Sequence, residues 1–141
     1  MKEVKLHAPG DSRGAEFTWP GQGKVTSRFS AKSNDGIIIS AAEGEPVYAV
    51  ADGEVAYVGK KMKNFGNMVI LKHASQRFTS YAHLSKATVS SYARVKQGEL
   101  IGYVGSTGEV DGARLYFSLR DKKQMVDPEK YLPEHYAGAG N

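Results

Sequence analysis

The stretch NDGIIISAAEGEPVYAVADGEVAYVG, residues 34–59, decides the fold. It divides into three short runs, 36–39, 46–50 and 53–58, rich in β-branched residues and separated by glycine-containing turns. Pro46 opens the second run, where a missing N–H does no harm, and Asp52-Gly53 is a two-residue turn signal between apolar runs. A chain that reverses this often builds a compact β-fold. Side chains alternate along a strand, so Asn34, Gly36 and Ile38 share one face while Asp35, Ile37 and Ile39 share the other. The first face offers an amide, a gap and a hydrocarbon. Asn34 and Ile38 have the spacing of two metal ligands on one strand, yet neither suits a catalytic ion.

The same pattern continues on both sides. Upstream, Phe17-Thr18-Trp19-Pro20 is an apolar anchor with Trp19 as a core or edge plug, and residues 24–29 read as a strand. Downstream, 60–67 is a basic loop, and 68–73 and 78–84 are two strands joined by a hairpin loop at 74–77. Pairing His73 with Phe78 puts His83 on the opposite side of the sheet, so the two histidines do not share a metal. Residues 85–97 are looser, and 95–105 form a turn and a strand. The final strand, 114–119, sets Arg114, Tyr116 and Ser118 against Leu115, Phe117 and Leu119. Asp127-Pro128 reads as the N-cap and first position of one helical turn over 127–132. Gly44-Glu45-Pro46-Val47 and Gly98-Glu99-Leu100-Ile101 are a faint repeat, each leading a turn into a strand.

Bulk properties narrow the function. The 141 residues suit one domain, read as a lead-in or strap over 1–15, a domain over 16–133 and a disordered tail over 134–141. A hydrophobic content of 40% with 16 glycines fits an all-β domain, and no run is long enough to span a membrane. The first residues lack the apolar segment of a secretory signal, which points to a cytosolic protein or to a domain of a longer exported one. The absence of cysteine removes disulfides and thiolate zinc sites. A formal charge of +4 is a modest excess. Its clusters, Lys60, Lys61 and Lys63 and then Lys122 and Lys123, lack the aromatic interleaving of a nucleic-acid platform.

Several segments coincide, in order and spacing, with one family. Trp19-Pro20 with Gly23, the run from Gly36 to Gly53, Gly66-Asn67, Tyr81-Ala82-His83-Leu84, Gly98, Gly105-Ser106-Thr107-Gly108, Leu115 with Phe117, and Asp127-Pro128 resemble the LytM, or lysostaphin-like (M23), zinc metallopeptidases that cut peptidoglycan cross-bridges. The resemblance covers residues 17–133 and implies an antiparallel β-sheet with a central groove. It also implies an altered metal site. The family's His-x-x-x-Asp pair falls on Asn34 and Ile38, and its His-x-His pair on Arg114 and Tyr116; His83 alone stands, at the position that assists the metal-bound water. A catalytic zinc needs about three protein ligands. A guanidinium at ~4 Å from a divalent ion costs about 8 kcal/mol at an effective dielectric near 20. His7 and His135, near the chain ends, offer no obvious replacement set.

The chain therefore looks most like the degenerate members of the family, the murein hydrolase activators of the EnvC, NlpD and DipM type. That resemblance implies a non-enzyme without metal or cofactor that binds and activates periplasmic N-acetylmuramoyl-L-alanine amidases during cell separation. The implied partner-binding groove comprises Asn34, Ile38, Tyr81, His83, Arg114 and Tyr116, with Arg28 near the rim. Three other readings remain open. They are a peptidoglycan-binding module using the same groove, an active zinc endopeptidase, and a swinging-arm carrier resembling biotinyl domains, with modification at Lys61-Met62.

Overall fold

The computed structural model describes residues 16–32 and 35–134. Asn34, His7 and His135, the lead-in over 1–15 and all but Glu134 of the tail lie outside the described residues.

The stretch that organises the sequence gives β2 (Ile37–Ile39), β3 (Pro46–Tyr48) and β4 (Gly53–Gly59). Around it stand β1 (Val25–Ser27), β5 (Asn67–His73), β6 (Arg77–Ala87), β7 (Arg94–Val95), β8 (Leu100–Val104), β9 (Leu115–Asp121) and β10 (Gln124–Val126). All pairings are antiparallel. The main path across the sheet runs β1-β2-β9-β6-β5-β4-β7, with β10 beside β9 and the β3-β8 pair joined to β6. The two segments of the faint repeat pair with each other, Val47 opposite Gly102. Each is entered through a glycine with positive φ, Gly44 at 93° and Gly98 at 88°, a conformation open to glycine at little cost.

The core lies on one side of the sheet. Ile37, Ile39, Val55, Val69, Leu71, Tyr81, Leu115 and Phe117 turn into it, joined by Val47, Ala49, Val50, Leu84, Ile101 and Val104. Their alternating neighbours Ile38, Met68, Ile70, Ala82 and Tyr116 form a second cluster on the other side. Burial on both faces of β5 explains why residues 68–71 are apolar at every position.

Both ends of the described domain are fastened to the core. Trp19 packs against it and its Nε1 donates to the Pro133 carbonyl at 2.7 Å, which fits the plug read from the sequence. The helical turn is a 3-10 turn over Pro128–Lys130, capped by Asp127, whose carboxylate accepts from the Glu129 N–H at 3.0 Å.

Two local readings are corrected. The β5–β6 connection is a 3-10 turn over Ala74–Gln76, with Ser75 and Gln76 at positive φ, so His73 pairs with Arg77 rather than Phe78. That register alone would return His83 to the side of His73. The side is changed back by a bulge, where Val69 pairs with Tyr81 but Asn67 pairs with Leu84, and His83 takes φ 65°. The histidines do face opposite ways, for a reason the sequence pattern does not contain.

Candidate functional site

The second cluster forms a row across the sheet. Ile38 on β2 lies opposite Tyr116 on β9, and Tyr116 lies opposite Ala82 on β6. Met68 on β5 completes the buried set, with Tyr57, Phe65 and Ile70 packed against it. The Tyr116 ring is 9% exposed and lies 4.9 Å from the Phe65 ring. It is admitted by Gly36, where a Cβ would stand 2.8 Å from the ring. Burial pushes the phenol above its ordinary range; the charge of Asp35 acts in the same direction, against a hydrogen bond with the Ser118 side chain.

His83 borders this row at 5% exposure, edge-on to Tyr116 at 6.3 Å. The bulge fixes it twice: its backbone N–H donates to the Phe65 carbonyl at 2.8 Å, and its Nδ1 donates to the Thr107 carbonyl at 2.9 Å. A carbonyl can only accept, so the neutral ring carries its proton on Nδ1 and a lone pair on Nε2. Burial lowers the imidazole's pKa, the bond to Thr107 opposes that, and the Arg114 charge reinforces it.

Arg114 is less enclosed than a groove anchor needs to be, with 32% of its side chain exposed. Its Nη2 donates to Asp111 at 2.7 Å and its Nε to the Gly112 carbonyl at 3.2 Å, so its charge is met locally. Arg28 is 76% exposed and reaches Glu129 at 3.6 Å. Tyr81 is a correction to the groove set. It is fully buried on the core side, where its hydroxyl receives the Val50 N–H at 3.2 Å and meets Thr79 Oγ1 at 2.8 Å. Strand alternation beside Ala82 excludes it from the groove. Of the remaining expected residues, Ile38, His83 and Tyr116 come together, Arg114 flanks them, and Asn34 lies outside the described residues.

Phe65, Met68, Tyr57 and Ile70 were not expected in the site. The signal for Met68 and Ile70 was present, since 68–71 is apolar at every position and a strand of that kind is covered on both faces. Phe65 arrives through a loop closure. Thr107 Oγ1 donates to the Leu84 carbonyl at 2.7 Å and accepts from the Asn67 N–H at 3.1 Å, while the Glu109 N–H reaches the Asn64 carbonyl at 2.9 Å. These bonds hold the β4–β5 loop against the β8–β9 loop.

In the active members of the family that the chain resembles a zinc ion sits at this place, and the described residues here do not fit one. Ile38 has no lone pair, the Tyr116 phenol is held protonated, and Arg114 brings a positive charge. Among the described residues, no group of three His, Cys, Asp or Glu could hold a metal.

The model of peptidase family M23 matches residues 32–128. The cell division protein DipM of Caulobacter vibrioides is 43% identical over 93% of the chain and 23% of its own length. The murein hydrolase activator NlpD of Escherichia coli is 39% identical over 84% of the chain and 31% of its own length. The chain thus spans less than a third of either relative. A zinc-containing peptidase from Vibrio cholerae superposes with a TM-score of 0.75 at 30% identity, over 79% of this chain and 39% of that one. The antiparallel sheet is the LytM, or lysostaphin-like, fold, and the chain belongs to peptidase family M23.

Proposed function

We propose that this chain is a non-catalytic M23 domain that has lost the family's zinc ligands. It works in the cell envelope, binding and switching on an N-acetylmuramoyl-L-alanine amidase during cell-wall remodelling and daughter-cell separation. One observation carries this reading. Where the resemblance places metal ligands stand Ile38 and Tyr116, members of an apolar row in which Tyr116, Ala82 and Met68 are buried and Ile38, Tyr57, Phe65 and Ile70 stay partly exposed. A floor of this kind has no means of activating water. It can bury the apolar side chains of a partner, with aromatic rings of the type found at interaction hot spots. The names of DipM, a cell division protein, and NlpD, a murein hydrolase activator, support the same reading.

In this reading the partner's segment lies on the row, and holding it there removes an inhibitory segment from the amidase's own active site. His83 Nε2 is the acceptor that the floor presents to the partner.

The test is to measure zinc per chain in the purified protein together with dye release from labelled sacculi, with and without an amidase from the same organism. The expected result is far less than one zinc per chain, no release by the chain alone, and faster release when the amidase is present. Stoichiometric zinc with release by the chain alone would overturn the proposal. Tight sacculus binding without stimulation of the amidase would instead make the chain a peptidoglycan-binding module.

A further inference from the structure

The face that carries the apolar row continues along the strands. Four residues from Ala82 on β6 stands Phe78, and four residues from Tyr116 on β9 stands Arg120, with the same parity. Phe78 pairs with Lys72 of β5 on one side and with Arg120 on the other. A second row therefore crosses the sheet about 13 Å from the first, at ~3.3 Å per strand residue. The floor between the rows is low where Ser80 pairs with Ser118, and Ile70 lies next to Ser80.

The second row is cationic. Arg120 stacks on Phe78, its Cζ 4.5 Å from the ring centroid. A guanidinium held over a ring keeps N–H groups for a further partner, and its planar fork grips a carboxylate with two bonds. Arg28, Arg77 and Arg114 each meet a carboxylate. Among the described residues none lies within 4 Å of Arg120. The other charges in the row are Lys72, Glu54 opposite it on β4, and Arg94 opposite Glu54 on β7, so the positive sign prevails. Arg120, Lys72 and Arg94 are all exposed.

We propose that Lys72, Phe78 and Arg120 form an anion-recognising subsite that takes an acidic side chain of the partner protein. The inference rests on the proposed function and adds a register to it. The partner segment carries apolar residues over the Ile38–Tyr116 row, where Ile38 is partly exposed, and a carboxylate about 13 Å further along, which is four residues on in an extended segment. The apolar row supplies burial, and the cationic row sets direction and speeds encounter.

The experiment compares Arg120→Glu, Lys72→Glu, Arg120→Lys and, as a charge control, Lys123→Glu. Each is assayed for the concentration giving half-maximal stimulation of the purified amidase on labelled sacculi, at low and at high salt. Arg120→Glu and Lys72→Glu should raise that concentration by about ten-fold or more at low salt, with the difference narrowing as salt is added. Arg120→Lys falls between, and Lys123→Glu matches wild type. Wild-type stimulation that Arg120→Glu leaves unchanged, or that Lys123→Glu lowers as much, overturns the subsite and leaves the proposed function intact. A wild-type chain that stimulates nothing overturns the proposed function and this inference with it. Equal loss of binding to sacculi without amidase makes the occupant cell-wall polymer and overturns the claim of a protein partner.

Discussion

Tyr81 shows what a single side chain does when strand parity sends it inward. The Val50 N–H donates to its hydroxyl at 3.2 Å, its hydroxyl meets Thr79 Oγ1 at 2.8 Å, and Thr79 Oγ1 meets His73 Nε2 at 2.7 Å. His73 Nδ1 closes the chain on the Asp52 carbonyl at 2.7 Å. Because that carbonyl only accepts, Nδ1 carries the proton, and the remaining donors are fixed: Tyr81 donates to Thr79, and Thr79 donates to Nε2. Every buried polar atom in the series is satisfied only while His73 is neutral. Thr79→Val removes the middle link and leaves two buried groups unpaired, so it should lower unfolding free energy by about 1–3 kcal/mol in a denaturant titration. An unchanged midpoint would mean the chain contributes nothing. Burial lowers the His73 pKa from 6.5, against the opposing effects of the Asp52 carbonyl and charge, and the unfolded state binds the proton more readily. Stability is therefore full above pH about 6.5 and is lost as the pH falls below it. His83 acts with the same sign. His73→Gln should flatten the decline in Tm between pH 7 and pH 5 in part, with His83 supplying what remains; a decline as steep as in wild type would exclude His73 as its source. The sequence displayed Tyr81-Ala82-His83 as a motif, but only the bulge decides which of the three turn away from the core, beside Tyr116.

Among the elements, β6 carries the most. It pairs with β5, β8 and β9, and its bulge at His83 joins the loop before β5 to the loop before β9. Those two loops touch at glycines: a Cβ on Gly66, at φ 65°, would stand 2.4 Å from Thr107 Oγ1 and 2.5 Å from the Gly108 nitrogen. Gly66→Ala combines an unfavourable φ with a backbone clash, so the loops must part and carry Phe65 away from Tyr116. The expected outcome is a loss of at least about 1 kcal/mol with a weakened Phe65–Tyr116 contact, read from thermal unfolding and from NMR ring-current shifts of the Tyr116 protons. Shifts identical to wild type would show that the loop contact does not position Phe65. The long strands were legible because their apolar positions are dense. The short edge strands β7 and β10 were not, since two or three residues, Arg94-Val95 and Gln124-Met125-Val126, are too few to carry a periodicity. Both are held by the neighbour they pair with rather than by their own pattern.

At the scale of the whole molecule, the M23 fold is kept, and the proposed function separates it from the family's chemistry. Of the positions that resemblance assigns to ligands, the three among the described residues lie close in the sheet, with residues 38 and 116 directly opposite and residue 114 bridged to Gly105. His83 stands beside them. On the proposed function it is the contents that differ, and contents are read from sequence more readily than surroundings. Ile38 and Tyr116 announced an altered site, whereas the packing of Phe65 and Met68 into it depends on loop closure and on a face that parity alone does not identify. If only the side chains differ, restoring them should restore the metal. The variant Asn34→His, Ile38→Asp, Arg114→His, Tyr116→His should take up about one zinc per chain. Replacing the Tyr116 ring and the Ile38 side chain also removes apolar contacts from the row, so the metal-free variant should be less stable than wild type. Zinc should then raise its Tm, because an ion that binds only the folded state stabilises it by mass action. Metal content after dialysis and Tm with and without added zinc provide the readouts. A variant that folds but neither retains zinc nor gains stability from it would show that the backbone itself has moved away from ligand geometry. The separation of fold from chemistry would then extend into the strands as well as the side chains.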